Sequence, residues 1–346
     1  MSEFLKKIAA CCYEAGVRLR HFLFDTGLLK SETFDIPIIC VGNITVGGTG
    51  KTPTVEMIVG HMYRTRKVAL LSRGYGRRTH GYREVAVTDS YRDVGDEPLQ
   101  MKLKYPDAVV VVCEKRVKGI RRIRAEHPEV DLIVMDDGFQ HRYVSAKVNV
   151  VVVDATRPVE QDHMLPYGSL RDIRSSLERA HYFIVSKCSD SMSPLDRMLM
   201  KKVLLSIAYQ KIYFMRYESL PMRPVFADVV GSEAGIPNFS EVIAMSGVGN
   251  PSVFIRGLRL HYRVIGELTF DDHHVYRVRD MHAMERMLAE HPNAYIVTTE
   301  KDAVKIFNSR KISDALKRRL YYIPVRMSYI EESDKDFLQN LEKDVG

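Results

Sequence analysis

Ile38-Ile39-Cys40-Val41-Gly42-Asn43-Ile44-Thr45-Val46-Gly47-Gly48-Thr49-Gly50-Lys51-Thr52-Pro53 is the stretch on which the reading of this chain turns. Its first four residues form a short apolar run of the kind that fills a buried strand. The glycines that follow let backbone N–H groups curl around phosphate oxygens. Val55, Ile58, Val59 and Met62 then recur at helical spacing, so the pattern predicts strand, glycine loop, helix. In that context Lys51 can reach the β- and γ-phosphates of a nucleotide and the Thr52 hydroxyl can ligate Mg²⁺. Pro53 suits a first helical turn, where its missing N–H has no bond to make. The nucleotide-binding candidates are therefore Thr45, Val46, Gly47, Gly48, Thr49, Gly50, Lys51 and Thr52, with Lys51 also catalytic. The general phosphate-loop pattern has glycine where Thr45 stands; the bland alternative is a glycine-rich turn carrying a chance Gly-Lys-Thr.

Outward from this stretch, apolar β-branched runs recur at Val68–Leu71, Val109–Val112, Leu132–Met135, Val150–Val153 and Phe183–Val185, with helix-period segments between several of them. Short apolar strands alternating with helices predict an α/β fold: a doubly wound parallel sheet of the P-loop NTPase type, with ligands at the carboxyl ends of the strands. The pattern pauses at Pro221-Met222-Arg223-Pro224 and resumes at Val242–Met245, Tyr262–Leu268 and Ala294–Val297. The expected organisation is an amino-terminal helical segment over residues 1–30, a kinase-like domain over 31–220 and a smaller α/β domain over 221–346.

The run Leu132–Met135 leads straight into Asp136-Asp137-Gly138-Phe139-Gln140-His141. Carboxylates at the end of a buried strand are where phosphate-loop enzymes hold Mg²⁺; an exposed Asp-Asp-Gly turn is the alternative. Ser72-Arg73-Gly74-Tyr75-Gly76 follows the second run, Gly95-Asp96-Glu97-Pro98 opens a helical stretch, and Asp271-Asp272-His273-His274 follows the run ending near Phe270. Read alone, the second of these is equally a helix start favoured by the dipole and the third a polar loop.

A net charge of +7, with 51 Lys plus Arg against 44 Asp plus Glu, favours an anionic partner. The basic residues are dispersed and no aromatic RNA-binding signature is present, which argues against nucleic acid. Five cysteines without a CxxC pair indicate neither a disulfide framework nor a zinc site. The first thirty residues carry Lys6, Lys7, Glu14, Arg18 and Arg20, too many charges for a spanning segment. Phe4, Leu5, Ile8, Cys12, Leu19, Phe22 and Leu23 can still form an apolar stripe on one helix, suited either to a membrane interface or to the protein's own sheet.

Taken in order, eight motifs resemble the tetraacyldisaccharide 4′-kinase family of lipid A synthesis: the glycine loop; Ser72 to Gly76; Gly95 to Pro98; Asp136 to His141; Leu165-Pro166 with Gly168 and Leu170-Arg171; Gly247 with Gly249-Asn250-Pro251; Asp272-His273; and Thr299 to Lys305. Thr45 belongs to this family's version of the loop. The resemblance implies ATP and Mg²⁺ as cofactors, an acylated glucosamine disaccharide 1-phosphate as acceptor, and a monomer peripheral to the cytoplasmic face of the inner membrane. It assigns metal to Asp136 and Asp137 beside Thr52, with Glu97 as a further candidate. Proton abstraction falls to Asp96 aided by His273, and phosphate contacts to Arg73, Arg116 and Arg171. Asp96 is then expected in the first domain and His273 in the second, with the site in the cleft between them. A kinase for a soluble hydroxyl acceptor and a non-catalytic nucleotide switch are the competing readings.

Overall fold

Six of the apolar runs become neighbours in one nine-stranded sheet. The computed structural model describes residues 2–232, 234–272, 274–308 and 312–346, and its strands in chain order are β1 Ile38–Gly42, β2 Val68–Ser72, β3 Arg83–Glu84, β4 Val109–Val112, β5 Leu132–Asp136, β6 Val148–Asp154, β7 Tyr182–Ser186, β8 Lys211–Ser219, β9 Arg223–Pro224, β10 Glu241–Ser246, β11 Arg263–Thr269, β12 Tyr295–Thr299, β13 Leu320–Ile323 and β14 Val325–Tyr329. The first sheet runs β14-β8-β7-β6-β1-β5-β2-β4-β3. Its strands from β8 to β4 pair in parallel, and β3 turns back antiparallel on β4.

Alternate residues of these strands face opposite ways, and the burial follows. Ile38 and Cys40 of β1, Ala69 and Leu71 of β2, Ile133 and Met135 of β5, Val151 and Val153 of β6 all join one core with Ile120 and Ile123 of the helix Arg116–Glu126 and with Ala10 of the helix Glu3–Asp25. The helix Lys51–Met62 buries Val55, Ile58, Val59 and Met62 against β1, β2 and β5. At about 25 cal/mol per Å² of apolar surface, side chains buried to this degree supply the bulk of the fold's stability.

The second sheet, β11-β10-β12-β13-β9, is parallel from β11 to β13 and ends in the antiparallel β9. Ile243 and Met245 of β10 join a core with Met281, Met284 and Leu316, while Val242 and Ala244 face a second one with Ile255 and Leu258. Helices therefore cover both faces, as the apolar runs predicted.

The chain forms two compact units: Met1–Val85 with Met101–Tyr217 and Met327–Gly346, and Ala86–Gln100 with Glu218–Arg326. This differs from a linear division at residue 220 in two places. The carboxyl-terminal helix Phe337–Val345 packs on the helix Lys51–Met62 and on β6, which returns the end of the chain to the first unit. The segment Ala86–Gln100 joins the second through hydrogen bonds from Arg92 to the Tyr276 carbonyl and from Asn308 to the Asp89 carbonyl.

Candidate active site

β1 and β5 lie side by side with Val41 opposite Asp136, so the glycine loop and the Asp-Asp-Gly turn leave the sheet at the same edge. Their approach is close: a Cβ on Gly42 would stand 2.5 Å from the Phe139 Cβ and 2.9 Å from its backbone nitrogen, so the position needs glycine. The loop then turns through Gly47 and Gly50 with φ of +91° and +95°, and Gly50 caps the helix Lys51–Met62. That helix presents its first N–H groups and its positive dipole end at the loop, the arrangement that binds anions.

Several contacts fix the loop. The buried Asn43 donates to the Thr49 hydroxyl at 2.7 Å. The Ser186 hydroxyl, at the end of β7, donates to the Thr49 carbonyl at 2.6 Å. Val46 N–H bonds the Ser169 carbonyl at 2.8 Å, and Arg157 donates to the Val46 carbonyl at 3.2 Å. Thr45 is buried, whereas Val46, Gly47 and Gly48 are exposed; the tip is open to a ligand while its stem is held.

Asp137 sits in the left-handed region, φ +47°, a conformation that Asp tolerates better than most residues but that needs support. Support comes from Arg171, whose two terminal nitrogens grip both carboxylate oxygens, one at 3.0 Å, and from Lys51, with Nζ 3.7 Å from Oδ1. Burial alone would raise the Asp137 pKa. The Arg171 hydrogen bond and the charges of Lys51, Arg171 and Arg116 outweigh it and hold the carboxyl below the usual range. Asp136 is buried and accepts from the Ser72 hydroxyl at 3.0 Å. Arg116, 2% exposed, donates to the carbonyls of Cys113 and Asp136 at 2.8 and 3.1 Å. It braces the turn from behind, whereas Arg73 is exposed at the end of β2. Burial and the nearby Arg116, Arg20 and Arg73 push His141 down to about 4, so it stands neutral at pH 7.

The structure thus gathers Thr45 to Thr52, Asp136, Asp137, Arg73, Arg116 and Arg171 in the first unit. Asp96 differs from expectation: it lies in the second unit, because Ala86–Gln100 folds there. Its carboxylate is 4.0 Å from Lys301 Nζ, which is also 3.7 Å from Asp272, and it accepts from the Glu97 N–H at 3.0 Å. Glu97 is half-buried in the same first turn. His273 lies outside the described residues. In the Thr299–Lys305 motif, Asp302 is fully buried and accepts from Gly247 N–H at 2.8 Å, from the Thr299 hydroxyl at 2.7 Å and from Lys305 at 3.3 Å; it holds the Gly247 loop.

Sequence reasoning assigned no role to Asn43, Ser72, Ser186 or Arg157, although Asn43 and Ser72 stood in the quoted motifs. Asp154, buried at the end of β6 and paired with Lys187 at 2.6 Å and Arg157 at 3.2 Å, was also passed over. The rule that picks out Asp136, a carboxylate ending an apolar run, picks out Asp154 as well.

A family model for tetraacyldisaccharide-1-P 4′-kinase matches residues 2–345. The chain belongs to that family. The tetraacyldisaccharide 4′-kinase of Porphyromonas gingivalis is 36% identical over 352 residues, 99% of this chain and 96% of that protein. The enzyme of the same name from Bacteroides fragilis is 36% identical over 96% of this chain and 90% of its own length. Among solved structures, LpxK from Aquifex aeolicus in complex with ATP superposes with a TM-score of 0.75, covering all of both chains at 24% identity; that likeness bears on the fold. The family resemblance read from the eight motifs and the α/β fold class both stand. Among the described residues no helix is long and apolar enough to cross a membrane.

Proposed function

We propose that this chain transfers the γ-phosphate of ATP to the 4′-hydroxyl of tetraacyldisaccharide 1-phosphate, with the roles of its residues divided as follows. The observation that carries the division is Asp137 clamped between Lys51 and Arg171 at the mouth of a glycine loop and helix start. Backbone N–H groups of Gly47 to Thr52 hold the phosphates, and Lys51 follows the charge that develops on the transferring group. Thr45 and Val46 shape the entry to the loop. The oxygens of Thr52, Asp136 and Asp137 are the hard donors that Mg²⁺ takes, and they adjoin the loop, so the residues present fit the ion. Bound Mg²⁺ would neutralise phosphate charge. Glu97 is a supplementary candidate for it.

Arg171 and Arg73 are proposed phosphate contacts, while Arg116 acts through the Asp136 carbonyl. Asp96 accepts the proton of the incoming hydroxyl and His273 orients it. A carboxylate is a weak base for an alcohol, but in loose phosphoryl transfer the proton leaves late and positioning matters more than basicity. The family resemblance makes a monomer the proposed state.

The acceptor's acyl chains favour a reaction at a membrane surface, which the family resemblance makes the cytoplasmic face of the inner membrane. The helix Glu3–Asp25 supports this: Phe4, Ile8, Leu19 and Phe22 lie on one side of it, 70%, 46%, 58% and 57% exposed, flanked by Lys7 and Arg18, which pair with Glu3 and Glu14 of the same helix. Thin-layer separation of lipid products after incubation with γ-labelled ATP and the tetraacyl disaccharide 1-phosphate tests donor and acceptor together. Labelled lipid is expected; label released only as inorganic phosphate would replace this reading with the nucleotide switch.

A further inference from the structure

The helix Glu3–Asp25 has a second face, and it is wired to the phosphate site. At 100° per residue, Tyr13, Val17, Arg20, His21 and Phe24 fall within about 100° of one another, opposite Phe4, Ile8, Leu19 and Phe22. Tyr13 donates its hydroxyl to the Arg171 carbonyl at 3.1 Å. Arg20 donates to the Gln140 carbonyl at 2.8 Å. His21 Nε2 lies 2.6 Å from Asp172, which is 1% exposed, and His21 Nδ1 lies 2.8 Å from Arg142. A guanidinium only donates, so Nδ1 accepts from Arg142 and it is Nε2–H that donates to Asp172.

The three residues gripped are those that hold the loop. Arg171 carries Asp137 and bonds the Asn43 side chain. Gln140 donates to the Asn43 carbonyl at 2.8 Å and to Asp172 at 3.4 Å. Asn43 in turn holds Thr49. From Tyr13, Arg20 and His21 to Asn43 there are two or three hydrogen bonds each, all within one compact unit.

We infer that Tyr13, Arg20 and His21 are positioning residues for phosphoryl transfer, so that the helix offered to lipid on one side sets the geometry of Arg171, Asp137 and Asn43 on the other. This rests on the reading of that trio as the phosphate site. It separates two functions of one helix: the outer face governs partition and acceptor KM, and the inner face governs kcat.

The test uses the full chain in four forms: Tyr13→Phe, His21→Ala, His21→Gln, and the outer-face triple Ile8→Ser with Leu19→Ser and Phe22→Ser. Each is scored by sedimentation with vesicles of phosphatidylethanolamine and phosphatidylglycerol, and by kcat and KM for the acylated acceptor at saturating ATP. Tyr13→Phe and His21→Ala are expected to lower kcat about five- to tenfold, the scale of one lost hydrogen bond, with partition and acceptor KM within about twofold. His21→Gln, whose amide can replace the Nε2–H donor, should recover much of the loss. The triple should do the reverse. Wild-type kcat in both Tyr13→Phe and His21→Ala, or losses confined to partition and acceptor KM, would overturn the inference. A Lys51→Ala protein that still transfers phosphate would instead overturn the phosphate-site reading beneath it.

Discussion

Two carboxylate pairs in this molecule sit in contrasting surroundings. Asp136 and Asp137 end a buried strand at the centre of a nine-stranded sheet, amid Ser72, Arg116, Lys51 and Arg171. Asp96 and Asp272 belong to a helix start and a loop of the other unit and share Lys301 at 4.0 and 3.7 Å. The first pair is held in place by cations and by a strand before any ligand arrives, which suits the proposed role of holding Mg²⁺ without reorganising. In the second pair Asp272 is 48% exposed and Asp96 12%. The difference lies in the scaffold: a buried strand end carries the first pair, for which we propose metal binding, and a helix start and a loop carry the second, in which we propose Asp96 for proton transfer.

The largest expected effect falls on the second pair. Asp96→Ala should lower kcat by about 10²–10⁴-fold, the usual range for a general base. If Asp96 and His273 share one task, the double variant Asp96→Ala with His273→Ala should be hardly worse than the poorer single one. Fully additive losses measured at saturating ATP would separate the two residues. On the other side of the comparison, Lys51→Ala should remove about 3–4 kcal/mol of transition-state stabilisation, a hundredfold or more in rate, and leave the fold intact.

Smaller and different in kind is the response to metal. Asp136→Ala and Asp137→Ala should each shift the Mg²⁺ activation curve to higher concentration, because water can replace a lost carboxylate ligand in part. Titration curves that coincide with wild type in both variants would break the contrast between the pairs. The smallest effect is on acid stability. Asp137 has its native pKa below the unfolded one, so its contribution is present above the unfolded value and is lost as pH falls through the native value. Thermal melts of Asp137→Asn should therefore lie below wild type near neutrality and converge with it in acid; parallel curves at all pH would contradict the pairing with Arg171.

Much of the first unit was legible because strand, glycine loop and acidic turn are each coded within a few consecutive residues. The register that sets Val41 beside Asp136 then follows from two buried apolar runs. What was not legible involves residues distant in sequence. Tyr13 and Arg171 are 158 positions apart, and nothing local marks their contact. The placement of Asp96 with the second unit depends on Arg92 meeting Tyr276, 184 positions away, so a linear division at residue 220 could not find it. β8 and β13 were missed for a different reason: Lys211–Ser219 mixes Tyr and charged residues with aliphatic ones and Leu320–Ile323 is half Tyr, so neither shows the aliphatic, β-branched run that marked the central strands.

The measurement that bears most directly on the division of labour is calorimetric titration of MgATP into Asp96→Asn and Lys51→Ala, paired with kcat for each. A binding site built by Lys51, Asp136 and Asp137 predicts that Asp96→Asn binds MgATP within about twofold of wild type while its kcat falls at least a hundredfold, the general-base range, and that Lys51→Ala loses affinity as well as rate. Equal loss of MgATP affinity in both variants would contradict it, because Asp96 would then belong to the nucleotide site rather than to the acceptor.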